Sequence, residues 1–197
     1  MGVLTYVNLE NNNFAALGHK VTDYETGTHI DIRGGDVFTT NIIGIDKSDR
    51  TRVGEFKSAL RSSNGKQGVV HTSNQGGVFG CLFADSQITK SANIIVPVTS
   101  RYGVRPGAAK LRTSLDGTTV EDFEIEIIKT SFQKTRNVKS MVIRVTDQTL
   151  LDRTGGIIHG MSGSPIIQNG NLVGALTHVI LGDTTKGYGI YIDFVLP

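Results

Sequence analysis

Short alternating apolar runs, each closed by a turn signal, succeed one another along the chain and leave little room for helices. Residues 3–8 alternate and end in Glu10-Asn11-Asn12-Asn13. Residues 14–17 resume an apolar run that stops at Gly18-His19. Residues 28–33 set Ile30 and Ile32 against His29, Asp31 and Arg33 before Gly34-Gly35. Further runs are read at residues 37–45, 67–72, 78–83, 93–98, 108–115, 120–129 and 139–145. In the run at 120–129, Phe123, Ile125 and Ile127 alternate with Glu124 and Glu126, the pattern of a strand with one wet face. Such spacing predicts an all-β barrel or sandwich. The 24 glycines agree, because tight turns need them. Only residues 147–153 read as a helix, capped by Thr146 or Asp147 and ended by Gly155-Gly156.

A chain of 197 residues is long enough for one large β domain or two small barrels. A division is placed at Arg101, Gly103, Pro106 and Gly107, which interrupt the pattern. It gives an N-terminal barrel over residues 1–100 and a C-terminal barrel over residues 101–197. The formal charge of +2, from 20 basic and 18 acidic residues, gives no footprint for nucleic acid, and none is expected as a partner. No signal peptide or transmembrane run is read in these residues. The single cysteine, Cys81, lies in an apolar run and reads as a small packing residue. No Cys or His cluster has zinc spacing, and neither a metal nor a cofactor is expected.

The chemistry is concentrated in Gly160-Met161-Ser162-Gly163-Ser164-Pro165. A serine hydroxyl needs a base within reach and N–H donors aimed at the developing oxyanion. Gly160 allows the backbone to turn so that its own N–H and that of Ser162 converge, making those two the candidate oxyanion hole. Gly-x-Ser-Gly-x-Pro is the pattern that chymotrypsin-like proteases carry around the reactive serine; a Gly-Ser turn between strands is the plainer alternative. The residues after Pro165 strengthen the protease reading. Residues 166–168, the Asn169-Gly170 turn and residues 172–178 form a hairpin pattern, and a Gly-rich strand pattern comes next at residues 186–192. In that family the strand matching Thr177, His178 and Val179 lines the cleft and pairs with the substrate backbone.

Five histidines compete to be the base: His19, His29, His71, His159 and His178. His19 ends an apolar run far upstream of the serine, where a two-barrel protease places its base. His29 lies on an alternating run and is expected to be exposed. His159 and His178 are close to Ser162 in sequence and suit either the cleft or the surface.

Three segments resemble the peptidase domain of the stage IV sporulation protein B family: Phe14-Ala15-Ala16-Leu17-Gly18-His19-Lys20-Val21-Thr22-Asp23, Val145-Thr146-Asp147, and the stretch from Thr154 through Ser162 to Gly170. Ala175-Leu176-Thr177-His178-Val179 and Gly187-Tyr188-Gly189-Ile190-Tyr191-Ile192 continue the likeness. The resemblance implies a two-barrel, chymotrypsin-like serine endopeptidase with His19 as base, Ser162 as nucleophile and Asp147 as acid. It also implies self-cleavage and cleavage of a membrane-bound regulator, which leads to activation of a late sigma factor. The expected location is the space between the membranes around the forespore. An upstream PDZ domain and membrane segment belong to the full-length family pattern.

Asp147 lies 15 residues before Ser162 (162 − 147), and a helix N-cap is its rival role. Asp31 and Asp36 are rival acids, and Asp23 is first a turn residue. The resemblance places Gly156 near the floor of the specificity pocket, without a carboxylate, so no preference for Lys or Arg is expected. Two other readings compete: a silent protease relic that binds a partner strand, and an esterase, which the missing strand–helix alternation disfavours.

Overall fold

The computed structural model describes residues 1–23, 26–92 and 94–196. Its second half is a closed six-stranded antiparallel barrel in the order β10-β13-β12-β11-β8-β9. The strands are β8 (Gly107–Thr113), β9 (Glu121–Thr130), β10 (Met141–Val145), β11 (Pro165–Gln168), β12 (Asn171–Ile180) and β13 (Asp183–Tyr191). Alternation fills the barrel as expected. Phe123, Ile125 and Ile127 of β9 are buried, while Glu124 is exposed to solvent. β12 departs from alternation. Its residues from Leu172 to Thr177 are all buried, so both faces of that stretch are covered.

The first half is an open five-stranded sheet in the order β1-β2-β7-β6-β3. It comprises β1 (Leu4–Val7), β2 (Asn13–Ala16), β3 (Gly35–Val37), β6 (Gly68–Asn74) and β7 (Gly77–Leu82). A separate hairpin of β4 (Thr40–Asp46) and β5 (Glu55–Leu60) stands beside it. Among the described residues the N-terminal half is thus a sheet plus a hairpin, and only the C-terminal half closes. Residues 83–106, with the one-turn helix α1 (Gln87–Ser91), connect the two.

Three runs differ from their sequence pattern. The expected strand at 28–33 does not form; His29 makes a single bridge to Thr22, and Ile30 stays 44% exposed. Alternation without a neighbouring strand has nothing to pair with. The run at 37–45 splits into β3 and β4. In the run at 93–98, where Asn93 lies outside the described residues, only Val98 pairs, bridging to Leu172. Conversely β5, Glu-Phe-Lys-Ser-Ala-Leu, has no β-branched residue and forms because β4 offers it six register partners, from Thr40↔Leu60 to Asp46↔Glu55. The helix α2 (Gln148–Thr154) is capped at its start by Asp147 and ends at Gly155 in the left-handed conformation.

Candidate active site

Two successive tight turns shape the segment around Ser162. The Met161 N–H donates to the Ile158 carbonyl at 3.2 Å, and the Met161 carbonyl accepts from the Ser164 N–H at 3.1 Å. The buried Ser164 hydroxyl donates to the same Met161 carbonyl at 2.7 Å and locks the second turn. Gly160 and Gly163 take φ values of 99° and 93°, a region that disfavours any side chain. At Gly163 space forbids one as well: a Cβ would run into the Val3 carbonyl and the Leu17 backbone. Ser162 itself is half-buried. Among the described residues, neither the Gly160 N–H nor the Ser162 N–H donates to a backbone carbonyl. These are the two amides that the sequence marks as candidate oxyanion donors.

The hairpin β4–β5 buttresses this segment from outside. The His159 N–H donates to the Gly54 carbonyl at 2.8 Å, and the Phe56 N–H donates to the His159 carbonyl at 3.1 Å. Buried Ser48 donates its hydroxyl to the Ile157 carbonyl at 3.2 Å and accepts from the Gly54 N–H at 2.9 Å. Gly156 packs against the Thr184 backbone, and the Ile157 N–H donates to the Thr184 carbonyl at 2.7 Å.

His19 arrives from the other half. Leu17 and Gly18 are consecutive left-handed residues, with φ of 71° and 68°, and they turn the chain out of β2. Leu17 packs on Gly163, and Gly18 sits against the Leu176 carbonyl and the Thr177 side chain. The Leu176 carbonyl in turn accepts from the Gly163 N–H at 2.8 Å. The turn bearing His19 is therefore docked on the residue next to Ser162. The His19 Nδ1 lies 2.7 Å from the Lys20 carbonyl. A carbonyl only accepts, so Nδ1 carries the proton and Nε2 of the neutral ring is left with its lone pair. Burial lowers the His19 pKa below its ordinary value, and the Lys20 bond partly opposes this.

The ring of His178, an exposed residue, lies against that of His19, centroids 4.8 Å apart and planes tilted by 40°. Desolvation, then the neighbouring His19 and Lys139, push its pKa down to about 4. The pair thus does not hold two charges at neutral pH. Thr177, 2% exposed, points the other way, and its hydroxyl bonds to the Val138 and Tyr188 carbonyls at 2.8 and 3.0 Å. Its side chain braces the barrel and does not face the cleft. Val179 is half-buried. β11 accompanies β12 only from Asn171 to Ala175, so beyond Leu176 that edge of β12 carries no strand among the described residues. It runs past both histidines as an open main-chain edge.

The acid is where sequence and structure part. Asp147 caps α2: its Oδ1 accepts from the Leu150 N–H at 2.9 Å, and its Oδ2 from the Glu124 N–H at 3.3 Å. On the barrel wall, Val142 shares a row with Tyr188 and His178. Asp147 is five residues further along and two strands across, on the order of 15–20 Å away. Its carboxylate does not meet His19, and the place expected for it is taken by the Lys20 carbonyl. The rivals Asp31 and Asp36 do not fill it either. Asp31 is exposed. Asp36, exposed and paired with Lys66 at 2.9 Å, lies on β3, three strands from β2. Asp23 accepts from the Thr26 N–H and hydroxyl, as a turn residue does. His29, His71 and His159 are exposed. Cys81, on β7, is half-buried. Sequence reasoning missed the Lys20 carbonyl, which has no signature because every residue carries one, and the buried hydroxyl of Ser48. Among the described residues, no three His, Cys, Asp or Glu side chains gather to hold a metal ion, and no helix is long and apolar enough to cross a membrane.

A serine in a Gly-x-Ser-Gly turn beside a β-barrel, with the turn that carries His19 docked on the next residue, suits a serine endopeptidase. The chain belongs to the SpoIVB peptidase S55 family, whose model matches residues 1–196. Solved structures with a similar course include the Rv3671c protease from M. tuberculosis. Its active form gives a TM-score of 0.44 at 10% identity, covering 81% of this chain and 77% of that one. Its inactive form gives 0.41 at 11%, covering 79% and 84%. The HtrA-type protease AlgW with a decapeptide gives 0.43 at 13%, covering 83% and 62%. No curated protein matches the chain.

Proposed function

We propose that this endopeptidase works through a Ser162–His19 dyad, with the Lys20 carbonyl doing the orienting that a carboxylate does in a triad. The observation that carries this reading is the docking of Leu17 and Gly18 on Gly163 and Leu176, with the His19 ring held in the tautomer a general base needs. The Nε2 lone pair takes the Ser162 proton as Oγ bonds to the scissile carbonyl carbon. The Gly160 and Ser162 N–H groups receive the oxyanion. Collapse of the tetrahedral adduct breaks the C–N bond, and the imidazolium gives its proton to the leaving amine. Water, deprotonated by the same ring, then resolves the acyl-enzyme. A carbonyl orients the ring without adding negative charge, so the imidazolium is less stabilised than in a triad.

The open edge of β12 beyond Leu176 suits an extended substrate strand, with His178 and Val179 along it. The family further suggests the targets: a membrane-bound regulator and the chain itself, cut in the space around the forespore so that a late sigma factor becomes active. Membership of the SpoIVB peptidase family is what supports this.

A fluorophosphonate probe tests the dyad. It should label Ser162 of the native chain and leave Ser162→Ala unlabelled. The rate for His19→Ala should fall by at least about a hundredfold. Equal labelling of His19→Ala would remove the base from the proposal. No labelling of the folded native chain would favour a silent strand-binding relic.

A further inference from the structure

The start of β1 touches both halves of the site. The Val3 N–H donates to the Ser162 carbonyl at 2.8 Å, and the Val3 carbonyl accepts from the Leu17 N–H at 3.2 Å. Two residues on, the Thr5 hydroxyl donates to the Gly163 carbonyl at 2.8 Å. Thr5 is 4% exposed. A peptide group is planar, so holding its oxygen and its nitrogen fixes its orientation. The peptide joining Ser162 to Gly163 is held through its oxygen by Val3 and through its nitrogen by the Leu176 carbonyl. The next peptide is held through its oxygen by Thr5 and through its nitrogen by the Met161 carbonyl. Thr5 is the one side chain among these four holds. The same strand anchors Leu17, two residues before the base.

We propose that β1 is a strap across the site and that Thr5 is a positioning residue for the nucleophile turn, setting the planes of the two peptides after Ser162. This rests on Ser162 being the nucleophile. A hydroxyl that only satisfied a buried carbonyl would support folding alone and leave turnover by the folded enzyme untouched. A strap acts on the transition state, because the turn it fixes carries both the attacking oxygen and an oxyanion donor.

The test compares Thr5→Val, which keeps the shape and loses the donor, with Thr5→Ser, which keeps the donor. Peptide kcat and KM, the fluorophosphonate labelling rate and the thermal midpoint are measured for each. Thr5→Val should lower kcat and labelling about tenfold, with KM within about twofold, and Thr5→Ser should restore kcat to within about threefold of the native value. A shifted midpoint with unchanged kcat per folded molecule would overturn the proposal. Val3→Pro provides a second arm, since it removes the N–H that bonds the Ser162 carbonyl and leaves Thr5 in place. It too should lower kcat more than it raises KM, and native kcat in that variant would count against the strap. Ser162→Ala serves as control: cleavage that survives there sinks the nucleophile assignment, whatever the Thr5 variants do.

Discussion

The two halves of the molecule contribute to one site from opposite kinds of packing. The barrel is closed, and its strands fill a single core. Of the fully buried members of that core among the described residues, only Ala15 and Phe56 precede residue 100. Both halves leave some large apolar side chains in water, Ile43 and Leu60 on the β4–β5 hairpin and Phe132 and Leu181 on the barrel half, so the contrast lies in the core. The barrel half carries Ser162, the proposed nucleophile, in a turn where two peptide planes are fixed. The open sheet carries His19, the proposed base, on a turn that docks through Leu17 and Gly18. The groups that must not move are thus placed on the half with the more complete core. The proposed proton carrier, His19, sits on the half from which local opening is expected first.

Core deletions test that contrast most strongly. Ile143→Ala, from a fully buried barrel position, should lower the unfolding free energy by about 2–5 kcal/mol. Leu82→Ala in β7, 1% exposed but outside the main cluster, should fall at the low end of that range. Denaturant melts of both variants decide it, and a larger loss for Leu82→Ala would reverse the picture.

Asp147 sharpens it at smaller amplitude. As an N-cap on the barrel side, Asp147→Ala should cost about 1 kcal/mol of stability, while Asp147→Asn should hold the helix nearly as well. Both should keep turnover per folded molecule. A folded, inactive Asp147→Asn would restore the carboxylate to the catalytic machinery and overturn the carbonyl-oriented dyad.

The smallest effects concern pH. Because burial holds the His19 pKa down, the acid limb of kcat/KM should lie below the ordinary histidine value of about 6.5. His178→Phe keeps a ring against His19 and should leave that limb in place. His178→Ala opens the site to water and should move it up toward about 6.5. Stability follows the same sign. Both rings are harder to protonate folded than unfolded, so between about 6.5 and the lowered values the unfolded chain binds more protons. Acidification through that window, down to about 4 for His178, should lower the thermal midpoint. His178→Phe should flatten part of that slope, and an unchanged slope would deny that the His178 pKa is lowered.

Residue order alone determined a good deal. Alternation at 121–130, the Asn169-Gly170 turn and the capped stretch 148–154 each depend on neighbours in sequence, and each forms where the pattern places it. The nucleophile turn was legible for the same reason: its glycines answer a local backbone demand, visible as φ values of 99° and 93°. The long family motifs marked Ser162 and His19 as candidates.

What sequence could not supply were relations between distant segments. Whether residues 28–33 become a strand depends on a partner edge, and among the described residues only the short bridge to Thr22 comes. Whether 55–60 does depends on β4, which brings one. Asp147 looks equally fit to cap a helix or to orient a histidine until the barrel fixes how far it stands from His19. The strap of Val3 and Thr5 on residues 162 and 163, and the stacking of His178 on His19, span most of the chain length. Only the closing of the barrel against the sheet creates them, since a hydrogen bond or a ring contact acts over a few ångströms of space and leaves no trace in the spacing of residues along the chain.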